Sequence, residues 1–171
     1  MTPPKLFADD MVGRLCWWLR MIGYDAAYQR QIEDDDLASR ARKENRIVLT
    51  RDTSFAKRYP DVRVLYLPTD RAEEQVWLVL REFALDFDHA WFSRCLVCNE
   101  ELVSVPKERH RHRIPPYVYR TLNEFWYCKT CDQLFWRGTH HEDMVKKLAR
   151  LRKDLQTIEE AHKGDGPSSG S

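Results

Sequence analysis

Two Cys-x-x-Cys pairs, Cys95 with Cys98 and Cys128 with Cys131, restrict this chain more than any other feature it has. Each pair makes a tight turn that presents two thiolates, and two such turns close a tetrahedron around one ion about 2.3 Å from each sulfur. Spacing of this kind points to zinc ahead of an iron centre or a redox pair. Four sulfurs leave no position open for water, so the ion is expected to hold structure and to take no part in chemistry. Residues 99–127 must then return between the two turns as the body of a small ribbon. His110, His112, His140 and His141 lie near the pairs, but four cysteines already satisfy the ion. The fifth cysteine, Cys16, sits among Trp17, Trp18 and Leu19 and reads as a small buried hydrophobe, with no basic neighbour pattern to activate it.

The metal reading presumes a reducing compartment, where disulfides are disfavoured. Residues 1–15 contain no basic segment followed by an apolar one, and no window reaches the roughly 18 apolar residues of a membrane span. A cytoplasmic protein without a membrane segment is expected. With 43% hydrophobic side chains in 171 residues, the chain can bury one ordinary core or two small ones. Lys plus Arg number 28 against 27 Asp plus Glu, so net charge neither favours nor excludes an anionic partner. Any nucleic-acid surface must come from local clustering.

Residues 1–90 alternate short apolar runs with amphipathic stretches, the pattern of strand and helix units winding a parallel sheet. Lys5–Ala8 is a strand that stops at Asp9. From Met11 to Ile22, Leu15, Trp18, Leu19 and Ile22 recur at helical spacing, and Gly23 is placed to end the helix. Tyr24–Tyr28 makes a second strand. Asp34, Asp35 and Asp36 then stand where a helix start accepts negative charge, with Leu37 to Lys43 continuing and Asn45 suited to the left-handed end. Ile47–Thr50 reads as a strand covered on both faces, ending at Arg51 and Asp52, and Val62–Leu67 repeats that signature. Pro68, Thr69 and Asp70 open a helix to about Phe83, with Val76, Val79, Leu80 and Phe83 facing inward. From Phe92 the character changes, so a boundary is expected near Asp88–Trp91. Residues 141–162 read as a charged helix and residues 163–171 as a flexible tail.

Asp9 and Asp52 follow two strands and Asp34 opens a helix. In an open parallel sheet ligands bind in the crevice at the carboxyl ends of the strands, so these three acids are expected to converge there. Crowded carboxylates repel one another, and a divalent cation such as Mg²⁺ or Mn²⁺ relieves the repulsion. Against a phosphodiester, such an ion lowers the pKa of a water nucleophile and stabilises charge on the leaving oxygen. The plainer reading is that Asp34, Asp35, Asp36 and Asp70 cap helices, that Asp52 caps residues 53–58 and that Asp10 is merely solvated. Arg14, Arg20, Arg51 and Lys57 lie near the acids along the chain and are candidates for holding a nucleic-acid backbone.

Between the cysteine pairs, Lys107, Arg109, Arg111, Arg113 and Arg120 interleave with His110, His112, Tyr117 and Tyr119. That combination either holds phosphates and stacks bases, or is a solvated loop whose aromatics cover a ribbon too small to do without them. Phe125, Trp126 and Trp136 read as core.

Taken in order, Lys5–Asp9, Met11–Leu15, Trp18–Arg20, Asp34–Leu37, Ile47–Asp52, Phe92–Asn99, Pro115–Tyr119 and Trp136–His140 resemble the Mut-seven C-terminal RNase domain family. The resemblance implies an α/β fold: a PIN-like parallel-sheet nuclease domain over residues 1–90, a four-cysteine zinc ribbon over 91–140 and a C-terminal helix over 141–162. It implies a Mg- or Mn-dependent ribonuclease acting on single-stranded or structured RNA, with Asp9, Asp34 and Asp52 as the metal-binding catalytic acids. Asp10 stands where a small residue is expected and either adds a ligand or disturbs the site. On this reading Arg14, Arg51 and Lys57 position the strand, Arg109, Arg111 and Arg113 add contacts to it, and Cys95, Cys98, Cys128 and Cys131 hold zinc. The alternative is a non-catalytic RNA- or protein-binding module, in which the acids are caps and the basic stretch does the recognising. A toxin-like component silenced by an inhibitory partner shares the same fold.

Overall fold

The structure is a computed structural model that describes residues 2–165. Strands β1 (Lys5–Ala8), β2 (Ala26–Tyr28), β3 (Arg46–Thr50) and β4 (Val64–Tyr66) form a parallel sheet in the order β2-β1-β3-β4. Alternation along the strands divides the core in two. Leu6, Ala8, Ile47 and Leu49 face one side and pack with α1 (Gly13–Ile22) and α4 (Ala72–Glu82). Phe7 and Val48 face the other, against Leu37, Ala38 and Ala41 of α2 (Asp34–Glu44) and Phe55 of the short α3 (Phe55–Arg58). A sheet covered on both faces favours apolar residues at successive strand positions, which is why residues 6–8 and 47–49 read as unbroken apolar runs.

The helix ends follow local chemistry. Gly23 closes α1 at φ 110°, and a Cβ there would lie 2.3 Å from the Ala90 carbonyl oxygen, so no side chain fits. Asn45 closes α2 in the left-handed conformation at φ 52°. The start of the first helix differs from the expectation: residues Asp10–Val12 form a 3-10 turn whose Met11 amide is satisfied by the Asp9 side chain, and the α-helix begins only at Gly13. The second strand begins at Ala26 and not at Tyr24, because the Tyr24 ring stacks on His89 and its hydroxyl donates to the Asp86 carbonyl at 2.7 Å. Likewise α4 starts at Ala72, two residues past Asp70, with Thr69 Oγ1 accepting the Arg71 amide.

The second sheet is antiparallel, β5 (Val103–Val105), β6 (Phe125–Cys128) and β7 (Gln133–Trp136) in that order. The basic stretch is not an irregular loop: Lys107–Arg113 form a 3-10 helix and Pro116–Thr121 form α5. Phe125 is fully buried, whereas Trp126 and Trp136 are half-buried. The last helix, α6 (Thr139–Gly164), extends beyond the expected 141–162 at both ends, and the tail expected from residue 163 is still helical at 163 and 164. Its length is set by docking on α4. Leu148 and Leu151 enter the first core, Trp77 Nε1 donates to Glu159 at 2.8 Å, and the Trp77 and His162 rings lie 4.2 Å apart. Residues 166–171 of the expected tail lie outside the described residues. No helix among the described residues is long and apolar enough to cross a membrane.

Candidate active site and four-cysteine centre

β1 and β3 are adjacent and parallel, so Asp9 and Asp52 leave the sheet at the same rim, where the start of α2 brings Asp34. A continuous set of polar contacts links them. Thr50, fully buried at the end of β3, donates its hydroxyl to Asp9 Oδ2 and accepts the Asp52 amide at 2.9 Å. Asp52 then meets Arg58, whose Nη2 lies 2.6 Å from Asp52 Oδ2 and 2.8 Å from Asp34 Oδ2. One guanidinium nitrogen thus bridges two of the three acids. Asp9, Asp34 and Asp52 do not draw their oxygens within 4.8 Å of one another; among the described residues the four cysteines are the group that does so.

The electrostatics divide the acids. Burial holds the Asp9 carboxyl above its ordinary pKa, against the lowering effect of the Thr50 and Met11 hydrogen bonds and with help from the charges of Asp34 and Asp10. Asp52 is held below the usual carboxylate range by hydrogen bonds from Ser54 and then by Arg58. Helix capping does not account for Asp34 or Asp35: α2 has no side-chain cap bond, Asp34 pairs with Arg58, and Asp35 accepts the Tyr59 hydroxyl at 2.5 Å. Asp52 does both jobs, accepting the Ser54 amide at 2.8 Å as well as the guanidinium. Asp10 is engaged and not merely solvated, since its Oδ1 accepts from the Tyr28 hydroxyl and the Gln31 amide.

The basic candidates are scattered. Arg14 is exposed and leans 4.0 Å from Glu73, Lys57 is exposed on α3, and Arg51 buries a Nε that has no hydrogen-bond partner among the described residues. Arg20 is not at the acidic rim at all. It lies near the opposite end of α1, and its guanidinium donates to the carbonyls of Ala26, Leu96 and Val97. In the ribbon, Lys107 is used internally, donating to the Tyr119 and Leu122 carbonyls and Asn123, and Arg113 is clamped on Asp132. Arg109 is exposed, and Arg111 is exposed over the Tyr119 ring. The sequence reading missed Arg58 and Thr50. Thr50 was legible as the last residue of a buried strand beside Asp52, and Arg58 only through the single helical turn that carries the chain back toward Asp52.

The cysteine centre is closed. Sγ of Cys95 lies 3.9 Å from that of Cys131, and Sγ of Cys98 lies 3.3 Å from that of Cys128. A tetrahedron with bonds of 2.3 Å has edges of about 3.8 Å, so these sulfurs fit a structural metal. Cys95 and Cys128 are fully buried. The first turn is fastened to α1 and β2 by Arg20, by Asn99, which donates to Asp25 at 2.7 Å and accepts the Ala26 amide at 3.0 Å, and by Arg94 on the Gly23 carbonyl. Cys16 stays apart: its thiol contacts the Ala26 carbonyl at 3.1 Å, and burial pushes it up to about 11.

The family model described as the Mut7-C RNAse domain matches residues 4–148. The chain belongs to that family. No curated protein and no solved structure matches it. The Mut7-C RNAse match starts just before β1 and ends at Leu148 inside α6, so it takes in both the acidic rim and the four cysteines.

Proposed function

We propose that this Mut7-C RNAse domain is a Mg²⁺- or Mn²⁺-dependent ribonuclease that hydrolyses RNA phosphodiester bonds at the rim formed by Asp9, Asp34 and Asp52. The observation that carries the reading is the bridge at this rim. Carboxylates from α2 and from the end of β3 already share one cationic nitrogen, and Thr50 links Asp9 to the backbone amide of Asp52. Two acids from separate elements gathered around a positive group, with a third linked to them through Thr50, are a fitting donor set for a hard divalent ion. Such an ion, when held there, supplies Lewis acidity that activates water and stabilises charge on the leaving oxygen.

The residues of the chain do the rest. Thr50 and the Met11 amide fix both oxygens of Asp9, so its lone pairs have one orientation. Ser54 fixes Oδ1 of Asp52 through its amide and its hydroxyl. Arg14, Arg51 and Lys57 follow the acids along the chain and are assigned to hold the phosphate backbone in place. The buried Arg51 Nε, without a hydrogen-bond partner among the described residues, supports that role. Zinc at Cys95, Cys98, Cys128 and Cys131 is structural, and the protein works in the cytoplasm.

Labelled single-stranded RNA incubated with the protein and Mn²⁺ is expected to shorten, and EDTA to stop the shortening. RNA that remains intact but bound, with binding that survives EDTA and disappears when Arg109, Arg111 and Arg113 are neutralised, would instead establish the binding module.

A further inference from the structure

The bridge contains one group that a metal site does not need, the guanidinium of Arg58. Its Nη2 stands between Asp34 and Asp52, within hydrogen-bonding distance of both, and a cation entering between those acids meets it first. We propose that Arg58 is an internal stand-in for the cation, a latch that neutralises Asp34 and Asp52 in the metal-free protein and must swing out before the ion enters; the inference rests on the metal-dependent reading above.

The local structure suits a movable latch. Arg58 ends α3, which is anchored by the fully buried Phe55, so the backbone of the turn is fixed while its last side chain is 44% exposed. Both ion pairs are therefore in contact with water and individually weak. The displaced guanidinium has a place to rest, because it already lies 5.6 Å from the centroid of the Tyr59 ring, and Tyr59 is itself held by Asp35. Without Arg58, Asp34 and Asp52 would repel each other and drift apart when no ion is bound. With it, the two acids stay gathered, and the apparent affinity for the ion falls by the fraction of molecules in which the latch is closed.

The test is a Mn²⁺ titration of the zinc-loaded full chain, followed by loss of the free-ion electron paramagnetic resonance signal. Arg58→Ala is expected to lower Kd by about three- to tenfold, and Arg58→Gln to move it in the same direction. Lys57→Ala removes one charge from the same turn and touches neither acid, so it is expected to change Kd by less than about twofold. Equal Kd values for the parent and both Arg58 variants would overturn the latch and leave the metal site standing. Equal tightening by Lys57→Ala would also overturn it, since net charge alone would then suffice. No Mn²⁺ uptake by any of these proteins would bring down the acidic metal site and the latch with it.

Discussion

Cys128→Ser is expected to release the metal and lower the melting temperature by about 10 °C. A serine oxygen is a poor replacement for a thiolate at a four-sulfur site, and Cys128 is fully buried at the end of β6, where no water can take its place. The loss does not stay local. The Cys95–Cys98 turn presents the Leu96 and Val97 carbonyls to Arg20, a guanidinium that is itself buried, and presents Asn99 to Asp25 and the Ala26 amide. When the turn loosens, Arg20 loses two of its three acceptors, and a buried charge without partners is among the costliest defects a core can carry. Unfolding monitored by circular dichroism, together with zinc content per chain, reads both effects. Cys16→Ser serves as the control, since that thiol lies away from the cluster, and it is expected to keep a full complement of metal. An unchanged melting temperature and metal content in Cys128→Ser would remove the cysteine centre from the stability of the fold.

Asp9→Asn is expected to cut RNA cleavage by about a hundredfold or more, the worth of roughly 3 kcal/mol of lost charge stabilisation. The same change is expected to raise the melting temperature at neutral pH by about 2–4 °C. The sign follows from burial, which raises the Asp9 carboxyl above its ordinary value, so the ionised side chain is the unfavourable form in the folded protein. The stability that goes with the protonated form is fully present below the ordinary carboxylate value and is lost as pH rises through the raised one. Asparagine cannot ionise and escapes that loss. Its oxygen still accepts the Met11 amide, and its amide can donate to the Thr50 hydroxyl oxygen. The stability gap between variant and parent therefore opens as pH rises from the acid range to neutrality. A group that costs stability while sitting at a rim of acids is typical of a site kept for chemistry. A variant that melts lower than the parent at neutral pH, or cleaves as well as it does, would contradict this role for Asp9.

What could be read from the sequence was what depends on short range. β1 and β3 declare themselves because burial on both faces makes residues 6–8 and 47–49 unbroken apolar runs, and Gly23 and Asn45 mark helix ends because a left-handed residue is needed there. The cysteine pairs specify their geometry through spacing alone. Arg20 could not be placed, since a charge at a helical position usually faces water, and only the carbonyls of a turn some seventy-six residues away explain its burial. The same holds for Arg58, whose two partners are 24 and 6 positions distant. Lys107 and Arg113 illustrate the reverse error, in which a basic stretch suggests a ligand surface while two of its charges close the ribbon on itself. The length of α6 was hidden for a similar reason, because its last turns are held by Trp77 on α4 and not by any pattern of their own.

The most direct measurement is an anomalous difference map from crystals of the zinc-loaded protein soaked in Mn²⁺. A Mn²⁺ peak bounded by Asp9, Asp34 and Asp52, with the Arg58 side chain withdrawn from between the last two, is the expected result. Manganese absent from that rim in crystals of a protein that cleaves RNA in the same buffer would contradict it.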